Sequence, residues 1–373
     1  MEEEIMVVSK IRSVKPLIES RDGVHLTTYL ENQGDLVKIC GQLRRSIEYA
    51  YENLAPVMPP IQSTRFLEPL DKLVANPLVL ANMAGNIGIF RSFESFRILN
   101  VPVHVKAGTH VASSFHVKPL IKWLQTDQEF LLLAFTKISD RQFEASVYWG
   151  NRTSFRQVAV TLLPLQNKAG SLEFDSSWVH EVFASQEEYG GIKVFLCGDT
   201  ALCERAKPDL QLENIDERFI GVSGDKYNLE QLCREIRVSM MLHARRKLES
   251  TLNEFVFADL ENRTSKNLFL IAKAVVKGRV RKLIVSDEVQ IFGKIDRKSG
   301  GLAIHPFDLD HEDDDLLDDL AQMVLSQGGE VFVASRDEIP NGRPILAILD
   351  EDGKGLLKLE NVSHFEVPRE RWG

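Results

Sequence analysis

The side chains with the clearest chemical potential are a histidine series, a cysteine pair and an acidic run. His104, His110 and His116 recur every six residues with no cysteine nearby. That is not the spacing of zinc ligands, so no metal site is expected there. Cys197 and Cys203 straddle the end of the apolar run V-F-L-C and read as core residues rather than a redox pair. The run D-L-D-H-E-D-D-D (308–315) has enough carboxylates for a divalent cation but lacks the EF-hand pattern. It stands just before an amphipathic stretch, where acidic residues suit the positive end of a helix. The chain has no Walker A loop, no dinucleotide-binding glycine fingerprint and no G-x-S-x-G nucleophile elbow. No metal and no cofactor are expected.

Basic residues offer a different chemistry. Lys273, Lys277, Arg279, Arg281 and Lys282 surround Gly278, and Arg245, Arg246 and Lys247 follow one another upstream. Either group could meet RNA phosphates. The chain as a whole carries a formal charge of −9 and has no overall basic footprint, so DNA is not an expected partner. No apolar run approaches the length of a membrane span, and the opening M-E-E-E-I-M-V-V is acidic, unlike a secretory or transit signal. The four cysteines lie far apart and suggest no disulfide framework. These features predict a cytoplasmic protein without a membrane partner.

The elements that must position these residues follow from periodicity. Lys10–Ser20 reads as a short helix, Val24–Leu30 as a strand and Asn32–Leu54 as a long helix with Leu36, Ile39, Cys40, Leu43, Ile47 and Leu54 on one side. Pro56, Pro59 and Pro60 break the chain, and Arg65–Val74 resumes as a helix. Strands are expected at Ile87–Phe90 and around Val101–Val105, with Phe93 and Phe96 between them, then a helix at His116–Leu124. Phe130–Thr136, Phe143–Val147 and Gln157–Leu163 form an antiparallel meander. A helix at Ser176–Glu188 ends on Gly190-Gly191. A strand at Val194–Cys197 and a short helix at Thr200–Lys207 come next, and Phe219–Val222 adds a strand. From Asn228 the pattern is helical for some thirty residues. Helices and strands then alternate to Leu349, including a helix at Asp313–Ser326 ended by Gly328-Gly329, which predicts a three-layer α/β/α unit.

The order and wording of three stretches resemble the bacterial relatives of the archaeal and eukaryotic class 1 peptide-chain release factor, a family called baeRF. They are N-I-G-I-F-R-S-F-E-S-F-R-I-L-N-V-P-V (86–103) with S-F-H-V-K-P-L-I-K-W-L-Q (114–125), V-V-K-G-R-V-R-K-L-I-V-S-D (275–287) and L-S-Q-G-G-E-V-F-V-A (325–334). The resemblance spans roughly Ser13 to Leu349. It implies an α/β (α+β) protein of three release-factor-like domains. These are an N-terminal α/β domain (residues 1–115), a middle ribonuclease-H-like domain (116–227) and a C-terminal ribosomal-protein-like α/β/α sandwich (228–350), followed by a tail (351–373). It also implies the ribosome or tRNA as partner, in termination, rescue or stress, and a translational GTPase as partner of the C-terminal domain.

The same resemblance locates the place where hydrolytic chemistry should be. Release factors carry Gly-Gly-Gln on a loop of the middle domain, where the glutamine orients water onto the peptidyl-tRNA ester. The corresponding stretch here, L-Q-N-K-A-G-S-L (165–172), has no such triplet, and its polar groups are Gln166, Asn167 and Lys168. Gly190-Gly191 and Gly328-Gly329 are not followed by glutamine and suit helix ends. The decoding motif Asn-Ile-Lys-Ser is absent too. The expectation is therefore a non-enzymatic factor. The alternatives are a peptidyl-tRNA hydrolase working through Gln166 on a divergent loop, and a protein-interaction scaffold unrelated to translation.

Overall fold

Apolar residues three and four apart between Leu36 and Leu54 give this segment one buried side, and Asp35 starts it by accepting hydrogen bonds from the N–H groups of Val37 and Lys38. The computed structural model describes residues 10–20, 23–83, 85–101, 105–126, 129–139, 142–151, 155–164, 167–168, 171–172, 192–198, 203–204, 207–208, 210, 215–221, 228–305 and 314–351. The chain divides into two compact units. One joins Val14–Trp123 with the chain from Leu248 onward, and the other is built on Leu124–Lys247.

Helix α1 (Lys10–Glu19), which belongs to the first unit from Val14 on, precedes strand β1 (His25–Leu30). Helices α2 (Leu36–Leu54), α3 (Pro60–Ala75) and α4 (Leu78–Ala81) follow. Strands β2 (Asn86–Arg91), β3 (Phe96–Val101) and β4 (Gly108–Ala112) complete an antiparallel sheet in the order β3-β2-β1-β4. Leu26, Leu30, Ile87, Ile89 and Val111 face α2 and α3. Every residue of β1 is buried, so the sheet's second face is covered as well.

Three boundaries differ from the expected ones. Residues 32–35 form a turn and cap rather than the first turn of α2, because the Asn32 side chain accepts from Gly34 N–H and Asp35 caps. The strand expected around Val101–Val105 is β3, which begins already at Phe96; residues 102–104 lie outside the described residues, and Val105 is not in a strand. Helix α5 is Lys118–Thr126, so His116 and Val117 precede it and lie outside the helix.

The same unit continues after the second one. The last part of helix α6 (Leu229–Leu260), from Leu248, leads into β12 (Thr264–Ser265) and α7 (Leu268–Val276). Strand β13 (Val280–Ser286), the hairpin β14 (Phe292–Ile295) and β15 (Leu302–Ile304), and β16 (Asp314–Asp315) come next. Helix α8 (Leu316–Ser326), β17 (Glu330–Ala334) and β18 (Ile345–Leu349) complete it. The main sheet runs β12-β18-β13-β17. Ile284, Phe332, Leu346 and Ile348 pack against Phe255 and Ala258 of α6, and helices α7 and α8 contact the strands too. A carboxylate helix start was expected at Asp313. Instead Asp314 and Asp315 pair with Phe292 and Gly293 of β14, and Asp315 caps α8.

In the second unit, β5 (Phe130–Ser139), β6 (Gln142–Gly150) and β7 (Phe155–Pro164) form the expected meander. After the small pair β8 (Asn167–Lys168) and β9 (Ser171–Leu172), β10 (Lys193–Gly198) runs parallel to β5, and β11 (Ile215–Gly221) parallel to β10. The order is β11-β10-β5-β6-β7. Leu131, Leu133, Val147, Val194 and Leu196 fill one core, and the alternate residues Phe130, Leu132, Tyr148 and Phe195 pack on Leu232, Ile236 and Met240 of α6. The expected helix at Ser176–Glu188 and its Gly190-Gly191 end lie outside the described residues.

Candidate functional site

The densest polar constellation lies within the first unit, where the chain between β4 and α5 meets the start of α8. Residues Ser113 to Lys118 engage four aspartates, all buried. Ser113 N–H donates to Asp314 Oδ1 at 3.2 Å, and Ser113 Oγ lies 2.5 Å from Asp314 Oδ2. Ser114 Oγ donates to Asp319 Oδ1 at 3.1 Å, and Val117 N–H to Asp318 Oδ2 at 2.8 Å. His116 Nδ1 lies 3.3 Å from that same Asp318 oxygen. Lys118 Nζ reaches Asp315 Oδ2 at 2.5 Å and the Val289 carbonyl at 2.7 Å. The Gln322 amide donates to the Phe115 carbonyl at 2.8 Å.

Two structural layers hold this segment in place. On the sheet side, Thr27 Oγ1 accepts from His116 N–H at 3.0 Å and the Tyr29 hydroxyl donates to the His116 carbonyl at 2.6 Å. The Phe115 ring sits edge-on to His25 at 4.5 Å and to Phe90 at 5.7 Å. On the helix side, Asp315, Asp318, Asp319 and Gln322 recur at spacings of one, three and four, which brings them to one side of the start of α8. Every residue from Leu316 to Val324 is buried, so this polar side of the helix is covered rather than solvated.

Burial of so many carboxylates has an electrostatic consequence. Removal from water raises the Asp314 carboxyl well above the usual carboxylate range, the nearby Asp319 charge adds to this, and the two Ser113 hydrogen bonds offset only part of it. His110, stacked on His116 with ring centroids 4.3 Å apart, moves the opposite way: burial depresses its pKa, and His116 and Lys118 depress it further. The Tyr29 phenol is pushed up by burial and then by Asp318. Asp318 Oδ1 and Gln322 Oε1 are buried without a hydrogen-bond partner. A cavity of about 20 Å³ lies between His110, Ser114, His116, Phe292, Asp314 and Asp318. It has room for about one water and for no organic substrate. Among the described residues, no group of three or more His, Cys, Asp or Glu side chains could hold a metal ion. The constellation can lock two chain segments together and hold a proton.

No family model and no curated protein matches the chain. Solved structures do. The archaeal translation termination factor aRF1 is 12% identical over 92% of this chain and 98% of that one, with a TM-score of 0.25. S. cerevisiae Dom34, a termination-like factor involved in RNA quality control and interacting with Hbs1, is 14% identical over 68% and 72%, with a TM-score of 0.38. Archaeoglobus fulgidus Pelota is 14% identical over 70% and 78%, with a TM-score of 0.28.

The residues singled out by sequence fall elsewhere. Asn167 and Lys168 form β8, paired with β9, while Gln166 lies outside the described residues, as does His104. Cys197 and Cys203 are buried free thiols, and burial pushes Cys197 up to about 12, which suits core packing. The basic residues around Gly278 are partly neutralised. Arg279 pairs with Asp350 at 3.4 Å, Arg281 with Glu254, and Lys282 with Glu254 at 3.0 Å and Glu330 at 3.6 Å. Lys277 is exposed and Lys273 half-buried on α7, and Arg245 and Arg246 are exposed on α6. Gly278 and Gly328 take φ of +67° and +83° just beyond α7 and α8, the left-handed conformation expected of a helix end. No described helix is long and apolar enough to cross a membrane.

Sequence reasoning missed the aspartate seam because the polar side of α8 has the periodicity of a solvated face. One signal was available. Lys118 sits inside the otherwise apolar run F-H-V-K-P-L-I, and a lysine held among core residues requires a buried partner.

Proposed function

We propose that this protein is a bacterial release-factor-like factor of the baeRF type. In this reading it is cytoplasmic and associates with the ribosome or tRNA in termination, rescue or stress, without Gly-Gly-Gln hydrolysis. The observation that carries the reading is internal to the chain. The S-F-H-V-K-P-L stretch (114–120) docks on α8, which leads into L-S-Q-G-G-E-V-F-V-A (325–334), and β17 within that stretch pairs with β13 of the 275–287 stretch. The three segments that carry the family resemblance thus form one body. The order β7-β6-β5-β10-β11, with three antiparallel strands and then two parallel ones, supports a ribonuclease-H-like middle domain. A three-domain division at 1–115, 116–227 and 228–350, with a translational GTPase meeting the last, belongs to the same reading.

The test is co-sedimentation of the purified chain with ribosomes, with and without translational GTPases loaded with a non-hydrolysable nucleotide. Pelleting with ribosomes, or retention of deacylated or peptidyl-tRNA, is expected. A protein that stays in the supernatant under all these conditions and retains no tRNA refutes the proposal. Release of peptide from peptidyl-tRNA, abolished by Gln166→Ala, would refute its non-hydrolytic part.

A further inference from the structure

The basic surface that folding assembles is not the one that adjacency in the sequence suggests. Three members of the sequence cluster are tied to carboxylates: Arg279 to Asp350, Arg281 to Glu254 and Lys282 to Glu254 and Glu330. Folding brings in other cations instead. The β14–β15 hairpin turns at Asp296–Gly301, with Asp296 N–H donating to the Gly301 carbonyl and Gly300 N–H to the Asp296 carbonyl. That turn is pressed onto α7. A methyl group at Gly300 would lie 2.6 Å from the Lys273 Cα and 2.9 Å from its N, and Gly300 has φ +73°. Only a glycine allows the two backbones to approach so closely.

The turn whose Gly300 seats against the Lys273 backbone carries Arg297 and Lys298, both exposed. One helical turn away on either side of Lys273 are Phe269, an exposed aromatic ring, and Lys277, an exposed lysine. The turn's one carboxylate is occupied internally. Asp296 accepts from Ser299 Oγ at 2.5 Å and Lys298 N–H at 2.9 Å. Cations around an exposed ring are the elements of single-strand recognition, in which lysine and arginine follow the phosphates and a ring stacks on a base.

We propose that the Asp296–Gly301 turn and the adjoining side of α7 form a single-stranded RNA-binding surface, with Lys277, Arg297 and Lys298 at phosphates and Phe269 stacking on a base. This inference rests on the ribosome or tRNA reading for its biological setting, and on the docked turn for its location. An acidic protein segment would use the same cations but gain little from the ring, so Phe269 distinguishes the two.

The test measures binding of a labelled oligouridylate to the full chain across a salt series, for the wild type, a Lys277→Ala/Arg297→Ala/Lys298→Ala variant, Phe269→Ala and Arg245→Ala/Arg246→Ala. Each phosphate neutralised contributes about 0.7 to the slope of log K against log salt, so the triple variant should be shallower by about two. Phe269→Ala should weaken binding about tenfold at unchanged slope. The Arg245/Arg246 variant should match the wild type. No binding by the wild type, or a triple variant with the wild-type slope, overturns the proposal. So does polyglutamate displacing the RNA from wild type and Phe269→Ala equally well. Ribosome pelleting by a wild type whose RNA slope ignores the triple substitution sinks this surface and leaves the broader reading standing. RNA binding through this surface by a chain that never pellets does the reverse.

Discussion

Lys118 Nζ meets Asp315 Oδ2 at 2.5 Å with both side chains only 3% exposed, a buried ion pair linking the start of α5 to the N-cap of α8. The same ammonium donates to the Val289 carbonyl, and the other Asp315 oxygen accepts from Ile291 and Leu317 N–H groups. A pair so enclosed adds little net stability over an apolar substitute of the same shape, but removing one partner leaves the other charge buried alone. Lys118→Met should therefore cost about 3–5 kcal/mol in a denaturant-unfolding titration. Lys118→Met combined with Asp315→Asn should cost clearly less than the sum of the two single changes. Additive losses would show that the pair does not act as a unit.

Asp314 is the group in this seam that should hold a proton. Its folded pKa lies well above the unfolded value near 3.8, so between the two the folded state binds more protons. The stability it contributes is complete below the unfolded value and is lost as pH rises through the folded one. Asp314→Asn keeps the shape of the protonated acid and can still meet Ser113. It should remove this downward trend and be at least as stable as the wild type at alkaline pH, measured as the unfolding midpoint from pH 4 to pH 9. A less stable variant that keeps the wild-type trend would rule out a buried proton at Asp314.

What could be read from the sequence was whatever depends on neighbours along the chain. The strands at Phe130–Ser139 and Val280–Ser286, the long helix from Leu229 and the glycine ends at Gly278 and Gly328 all follow from local periodicity and turn chemistry. What remained hidden depends on distant partners. Asp318 and Gln322 look like a solvated helix face until Val117 N–H and the Phe115 carbonyl arrive to bond them. Arg281 and Lys282 look like free cations until Glu254 closes over both. Charge pattern alone cannot separate a solvated group from one matched across the fold, because both satisfy the same helical spacing.

His110 supplies a titration of the opposite sign to Asp314. Stacked on His116, it has a pKa held well below 6.5 by burial, with His116 and Lys118 lowering it further. Below pH 6.5 the unfolded chain takes up a proton that the folded one resists, so stability should fall with acidification, by at most about 1.4 kcal/mol per pH unit for one proton. His110→Phe keeps a stacked ring and removes the titration. Its unfolding free energy should lack this decline between pH 6.5 and pH 5, and equal acid sensitivity in the two proteins would place the proton uptake elsewhere.

Gly300 couples the hairpin to α7 through a close backbone approach. Its φ of +73° disfavours any side chain, and a Cβ would collide with the Lys273 backbone, which cannot swing aside as a side-chain tip could. Gly300→Ala should cost about 1–3 kcal/mol from the strained dihedral alone, with the collision adding to it or pushing the turn off the helix. Gly301, with φ outside the left-handed region, meets only the Ser299 hydroxyl at 3.2 Å, so Gly301→Ala should be milder. The measurement is thermal unfolding of both variants together with amide exchange across residues 292–304. Faster exchange in the hairpin of Gly300→Ala, but not of Gly301→Ala, is the expected result. Equal protection in the two would mean that the hairpin is held by its own ladder to β16 rather than by its seat on α7.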